Sequence, residues 1–128
     1  METLAAEKIP ISSQSRFMTE DDFLGFCDED TRAEYIDGEV IVHSPASFKH
    51  EDISDFLHSV IRLFNEQHHL GIKPGSNFQV RLRAGLRRIP DLMFIGNGNK
   101  GQLKRTEFDG VPDLIVEIVS PDSVVRDW

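Results

Sequence analysis

Val111-Pro112-Asp113-Leu114-Ile115-Val116-Glu117-Ile118-Val119-Ser120-Pro121 is the stretch on which the fold reading turns. Residues 114–119 are apolar except for Glu117, and a short continuous apolar run of this kind reads as a buried, central strand. Ser120 followed by Pro121 reads as a helix N-cap and a proline at the first helical position. A helix is therefore expected to begin there, shortly before the sequence reaches Trp128. A carboxylate inside such a strand is costly unless it is paired or binds a metal. Glu117 is thus a candidate metal ligand. The plainer alternatives are a side chain turned to solvent or paired with a buried arginine.

Upstream, residues 96–112 are rich in Gly and Lys and read as a long loop. Before it, residues 86–95 form an apolar run interrupted by Pro90. Proline removes a ladder donor, so Pro90 belongs at an edge, a bulge or a strand start. Phe78, Val80 and Leu82 alternate with Gln79, Arg81 and Arg83, the pattern of a half-buried strand with a basic outer face, and Ala84-Gly85 turns it toward residues 86–95. Asp91 follows Pro90 directly. Taken alone, a Pro-Asp dipeptide is more often a turn. Taken with Glu117 on an adjacent strand, it could share a hard divalent cation through oxygen ligands. Such an ion activates water and stabilises charge on a phosphoryl group.

The first half supplies helix, hairpin and helix. Thr19 with Asp22 three residues on is a weaker form of the capping box, and Phe23, Leu24 and Phe26 give that helix its apolar side. Tyr35-Ile36 and Val40-Ile41-Val42 flank Asp37-Gly38, a tight-turn dipeptide suited to positive φ. Ser44-Pro45-Ala46-Ser47 breaks the strand. A long helix is expected over residues 48–69, with Ile53, Leu57, Val60 and Phe64 at helical spacing and Phe56, Ile61 and Leu63 widening the stripe; Gly71 suits its C-cap. His50 lies one turn before Ile53 on the same side, where a lone histidine is a core or rim residue more often than a ligand. Glu34 opens the first hairpin, and on local grounds it reads as a solvated charge. His43 carries no distinct signal, His68-His69 needs only a helix-dipole contact, and Cys27 has no activating neighbour. The glycine-rich run at residues 96–101 lacks the spacing of a phosphate-binding loop. The order of elements indicates an α+β or α/β domain, a mixed sheet packed on the long helix. It occupies residues 17–128, behind a flexible, polar tail at residues 1–16.

With 39% hydrophobic and 28% charged residues, the chain of 128 residues suits one globular domain and excludes a disordered or fibrous class. No apolar run approaches the roughly 20 residues of a membrane helix. Residues 1–16 hold no signal-peptide core, and Cys27 has no partner for an internal disulfide, so a cytoplasmic protein is expected. The net charge of −8 argues against nucleic acid, yet its distribution is uneven. Residues 19–39 carry many carboxylates against Arg32 alone, whereas residues 72–106 carry Lys73, Arg81, Arg83, Arg87, Arg88, Lys100, Lys104 and Arg105 around the single carboxylate Asp91. That basic stretch could meet phosphates, or the two halves could simply face each other.

Glu34-Tyr35-Ile36-Asp37-Gly38-Glu39-Val40, Ser44-Pro45, His50 opening a long helix, Ile89-Pro90-Asp91-Leu92 and the block at residues 111–121 occur here in one order. In this order the chain resembles the Uma-two family of putative restriction endonucleases, within the PD-(D/E)XK nuclease superfamily. The resemblance implies a restriction endonuclease-like fold, a mixed four-stranded core sheet flanked by helices. It implies Asp91 as first metal ligand, Glu117 as second and the backbone carbonyl of Ile118 as third, with Glu34 and His50 at recurrent positions near the catalytic site. Mg²⁺ or Mn²⁺, hydrolysis of DNA phosphodiesters and a homodimer follow from it as expectations. Two departures stand out. Val119 occupies the position of the superfamily lysine, and Lys100 and Lys104 are poor substitutes. The closing helix and strands of the family are expected to be missing, which makes the chain an incomplete domain with an exposed sheet edge. Two other readings stay open: a catalytically inactive nuclease-fold module that binds nucleic acid or protein, and an unrelated α+β domain in which Asp91 and Glu117 lie apart, each paired with arginine.

Overall fold

The computed structural model describes residues 17–28 and 30–119. The expected tail at residues 1–16 and the helix expected from Ser120-Pro121 lie outside them.

Local signals set the first elements. Helix α1 (Glu20–Phe26) starts where the Thr19 hydroxyl accepts the Asp22 N–H at 3.1 Å, and it buries Phe23. Strands β1 (Ala33–Ile36) and β2 (Glu39–Val42) pair antiparallel across Asp37-Gly38, whose φ values of 47° and 102° are the positive angles a tight hairpin requires. Helix α2 (Phe48–His68) begins with the Ser47 hydroxyl accepting the His50 N–H. Its C-cap is His69 in the left-handed region at φ 50°, not Gly71. Gly71 instead opens strand β3 (Gly71–Ile72), packed so closely on Ile95 that a Cβ there would lie 2.0 Å from the Ile95 carbonyl oxygen.

The remainder is strand: β4 (Gln79–Arg83), β5 (Leu86–Arg88), β6 (Leu92–Gly96), β7 (Gln102–Leu103), β8 (Glu107–Asp109) and β9 (Leu114–Val116). They form two sheets, ordered β2-β1-β5-β4-β8-β7 and β3-β6-β9. The β4–β8 pair is parallel and the others antiparallel, so the architecture is mixed α+β. One core packs Phe23, Ala33, Tyr35 and Val40 between α1 and the hairpin. A second joins Val80 and Phe108 of the larger sheet to Met93 and Ile95 of the smaller, binding the two sheets together.

Four further expectations change. Residues 86–95 are two strands in different sheets, divided at Pro90, which has no N–H with which to continue a ladder. The stretch at residues 96–112 is not a bare loop: Phe108 is buried in the second core and draws β8 into the larger sheet. Among the described residues strand β9 lies at one end of the order β3-β6-β9, with Leu114 and Ile115 exposed rather than central and buried. The apolar stripe of α2 is largely uncovered among the described residues, with Phe56, Leu63 and Phe64 exposed and Ser54 the helix's buried residue. No described helix is long and apolar enough to cross a membrane.

The two charged halves of the sequence face each other. Glu20 accepts from Arg81 at 2.7 Å and from Arg87 at 2.6 Å, Arg87 also bonds Glu107 and Gln79, Arg83 pairs with Asp37, and Arg88 with Glu34. The Arg81 hydrogen bond, opposed by burial and reinforced by Arg87, holds the Glu20 carboxyl down at about 2. The strand arginines are thus not a free phosphate-binding face. Arg87, with only 6% of its side chain exposed, is the hub. Replacing this buried guanidinium by alanine leaves the half-buried Glu20 and Glu107 without their shared partner, and Arg87→Ala is expected to lower the unfolding free energy by roughly 3 kcal/mol in urea titrations. Arg83→Ala breaks only an exposed pair and should lower it by less than about 1 kcal/mol.

Candidate active site

Pro90 is buried at the junction of the two sheets, and the residues on either side of it make the site. On one side, Ile89 presents its N–H to Glu34 Oε2 at 2.9 Å. Arg88 Nε donates to Glu34 Oε1 at 3.0 Å, and His43 Nε2 lies 3.5 Å from Glu34 Oε2. Burial pushes the Glu34 carboxyl up, but the hydrogen bonds from His43 and Ile89 and the charge of Arg88 outweigh it, so Glu34 lies below the usual carboxylate range. Glu34 is buried and fully engaged, not a solvated strand end.

On the other side, Asp91 is fixed at several atoms. Its Oδ2 accepts the Ile118 N–H at 2.7 Å, and its Oδ1 lies 3.0 Å from His50 Nε2. Its backbone N–H points at Glu117 Oε1 at 3.4 Å. Its carbonyl oxygen lies 2.7 Å from His58 Nε2, and His58 Nδ1 lies 2.7 Å from Lys73 Nζ. An ammonium has donors only, so Nδ1 accepts from Lys73 and Nε2–H donates to the Asp91 carbonyl.

The structure therefore brings Asp91, Glu117, His50 and the Ile118 backbone together, with Glu34 next to them across Pro90. Among the described residues neither Asp91 nor Glu117 makes an ion pair with arginine, as the unrelated-domain reading required. Burial, reinforced by the negative charges of Asp91 and Glu34, pushes Glu117 up to about 7. Among the described residues no arginine or lysine pairs with either Asp91 or Glu117, and a hard divalent cation matches such oxygen donors. The ring of His50 also keeps Nδ1 buried without a hydrogen-bond partner among the described residues. As placed, no three His, Cys, Asp or Glu side chains among the described residues form a metal-holding group, so two carboxylates would need backbone or water oxygens to complete a shell.

Sequence reading missed several neighbours. Ser54 and His58 recur with the already named His50 at intervals of four and form a polar stripe along α2, and this stripe, not the apolar one, meets Asp91. Their spacing was visible in the sequence. A cavity of about 220 Å³ opens beside His50 and Asp91, lined also by Arg32, Ser54, Ser76 and Asn77. No local pattern marks Arg32, Ser76 or Asn77.

Over residues 20–127 the chain matches the Uma2 family, described as putative restriction endonuclease. None of the curated proteins compared with the chain matches it. Among solved structures it is similar to that of a putative nuclease belonging to DUF820 from Anabaena variabilis, at 23% identity and a TM-score of 0.66. The likeness covers 82% of this chain, which spans 60% of the other's length.

The raised Glu117 carboxyl has a signed consequence for stability. Its folded value of about 7 exceeds the ordinary 4.5, so the folded protein holds that proton more tightly. The contribution is fully present below pH 4.5 and is lost as pH rises through about 7. Glu117→Gln keeps the neutral shape at every pH. Thermal unfolding of the metal-free protein from about pH 5 to about pH 8 should show a smaller loss of stability in the variant than in the wild type.

Proposed function

The chain belongs to the Uma2 family of putative restriction endonucleases, and on that premise we propose that it is a metal-dependent nuclease acting on DNA, with Asp91 and Glu117 holding Mg²⁺ or Mn²⁺. The observation that carries this reading is the convergence of Asp91, just before β6, with Glu117, just after β9, with no arginine paired to either among the described residues and the Glu117 carboxyl pushed up to about 7. When bound, the cation would supply a Lewis acid for a phosphoryl oxygen and a lowered pKa for an attached water.

The chain's own residues would do the rest. The Ile118 N–H and His50 fix the two oxygens of Asp91, and His58, backed by Lys73, fixes its carbonyl. Glu117 is the more basic carboxylate and binds either a proton or a metal, so metal affinity rises with pH through about 7. The Ile118 backbone carbonyl is the third ligand in this reading. Glu34 is tied to Arg88, Ile89 and His43, so it acts through its negative charge on Glu117 rather than as a ligand. Such a reaction belongs in the cytoplasm with the DNA, and cutting both strands calls for two copies of the chain.

A second reading has an observation in its favour. Val119 stands where the superfamily carries lysine, and the strand arginines are engaged with carboxylates, as suits an inactive module that binds nucleic acid or protein. Plasmid cleavage separates the two. The nuclease reading expects nicking or linearisation that needs Mg²⁺ or Mn²⁺ and stops with chelator. Asp91→Asn and Glu117→Gln should each slow it by more than about 100-fold, and His50→Ala by about 10-fold to 100-fold, the usual range for a group that supports a ligand. Metal binding by calorimetry without cleavage would support the inactive module. Cleavage unchanged in both carboxylate variants would refute the assignment.

A further inference from the structure

We propose that the cavity beside Asp91 is a seat for a phosphodiester oxygen, with Arg32 as its anchor; the identity of that phosphodiester as DNA rests on the nuclease reading above. Arg32 is held in place just before β1, where its carbonyl accepts the His43 N–H at 2.7 Å. Its Nε lies buried with no hydrogen-bond partner among the described residues. A buried N–H without an acceptor is unfavourable, and that of a guanidinium is more so, because the group keeps its charge at all ordinary pH values.

Arg32 lines the cavity of about 220 Å³ together with Ser54, Ser76, Asn77, His50, Ala46, Glu51 and Asp91. A water takes about 30 Å³ of liquid volume, so the space admits a phosphate group with some hydration. The hydroxyls of Ser54 and Ser76 and the amide of Asn77 can donate to oxygen, and two carboxylates, Glu51 and Asp91, oppose an anion. Glu51 is mostly exposed and its charge is screened by water. Asp91 is the carboxylate assigned to the cation. A phosphodiester between a cation at Asp91 and a guanidinium at Arg32 would meet positive charge on both sides.

The other arginines sharpen the assignment. Arg81, Arg83, Arg87 and Arg88 each pair with at least one carboxylate, whereas Arg32 lines the cavity that reaches Asp91. Arginine suits the task because its flat set of N–H donors matches the oxygens of a phosphate.

Dimethyl phosphate is a phosphodiester monoanion that needs neither metal nor cleavage, and it is the probe. The Arg32 Nε–H resonance, followed by ¹H–¹⁵N NMR on the full chain without metal, should shift saturably as the probe is added. Exposed Arg62 should not shift saturably. Arg32→Lys keeps the charge but lacks the Nε–H and should weaken binding of a labelled DNA duplex about tenfold in Ca²⁺, the weight of one charge-assisted hydrogen bond. If that variant fails to fold, the pair Ser76→Ala with Asn77→Ala serves as second variant, and it should weaken the response of the Arg32 Nε–H to dimethyl phosphate. The absence of a saturable shift at Arg32, or an equal one at Arg62, overturns the seat. The two proposals fail separately: cleavage without a shift at Arg32 removes the seat and leaves the nuclease, while a shift without cleavage keeps the seat and removes the nuclease.

Discussion

Pro90 has no backbone N–H, so a strand that carries it cannot run through one ladder along its whole length. The chain resolves this by changing sheets. Leu86–Arg88 stays in the larger sheet beside Ala33–Ile36, and Leu92–Gly96 starts the central strand of the smaller one. The backbone amides on either side of the proline then turn to carboxylates in place of a strand partner. Ile89 donates to Glu34, and Asp91 points its N–H at Glu117. The site thus forms where the sheet ladder stops, and its charged side chains are held by backbone groups that the proline left without ladder partners. The second core, Val80 and Phe108 against Met93 and Ile95, keeps the two sheets in contact and so keeps Glu34 and Asp91 in register.

Electrostatics divides the molecule in two. Three carboxylates of the N-terminal half, Glu20, Glu34 and Asp37, neutralise the arginines of β4 and β5, and this lattice consumes the basic strand face that the sequence alone offered to nucleic acid. Near Asp91 the balance reverses, since Asp91, Glu117 and Glu34 gather where Arg88 alone among the arginines is bonded to one of them, Glu34. A net charge of −8 gives no long-range attraction for DNA, so under the proposed function affinity would come from local positive charge at the site. On the proposed reading, the two local sources are a divalent cation held by Asp91 and Glu117, and Arg32.

Much of this was legible before the structure. Thr19 and Ser47 as caps, Asp37-Gly38 as a hairpin turn, and the pairing of Asp91 with Glu117 each depend on short-range chemistry or on a pattern with one physical meaning. What could not be read was orientation in three dimensions. The apolar stripe of α2 is strong, so it drew the core assignment, but the narrow stripe of His50, Ser54 and His58 is the one that meets Asp91. Glu34 read as a surface charge because its partners, Arg88 and Ile89, are remote in sequence. Strand β8 escaped for a similar reason: it is short, sits among Gly and Lys, and is held by the burial of Phe108 and by the pairing of Glu107 with Arg87, remote in sequence. Leu114–Val116 looked central from its apolar content, yet content does not say which strands flank it.

The proposed nuclease requires that Asp91 and Glu117 together bind a hard divalent cation. Paramagnetic broadening by Mn²⁺, added well below one equivalent to the ¹⁵N-labelled protein, tests it most directly. The account predicts that the amide signals of Asp91 and Ile118 broaden first, that signals of the distant β7–β8 hairpin stay sharp, and that Glu117→Gln removes the selectivity. Broadening centred on another acidic group, such as Asp28 with Asp30, or no selective broadening in a folded wild-type chain, would contradict it.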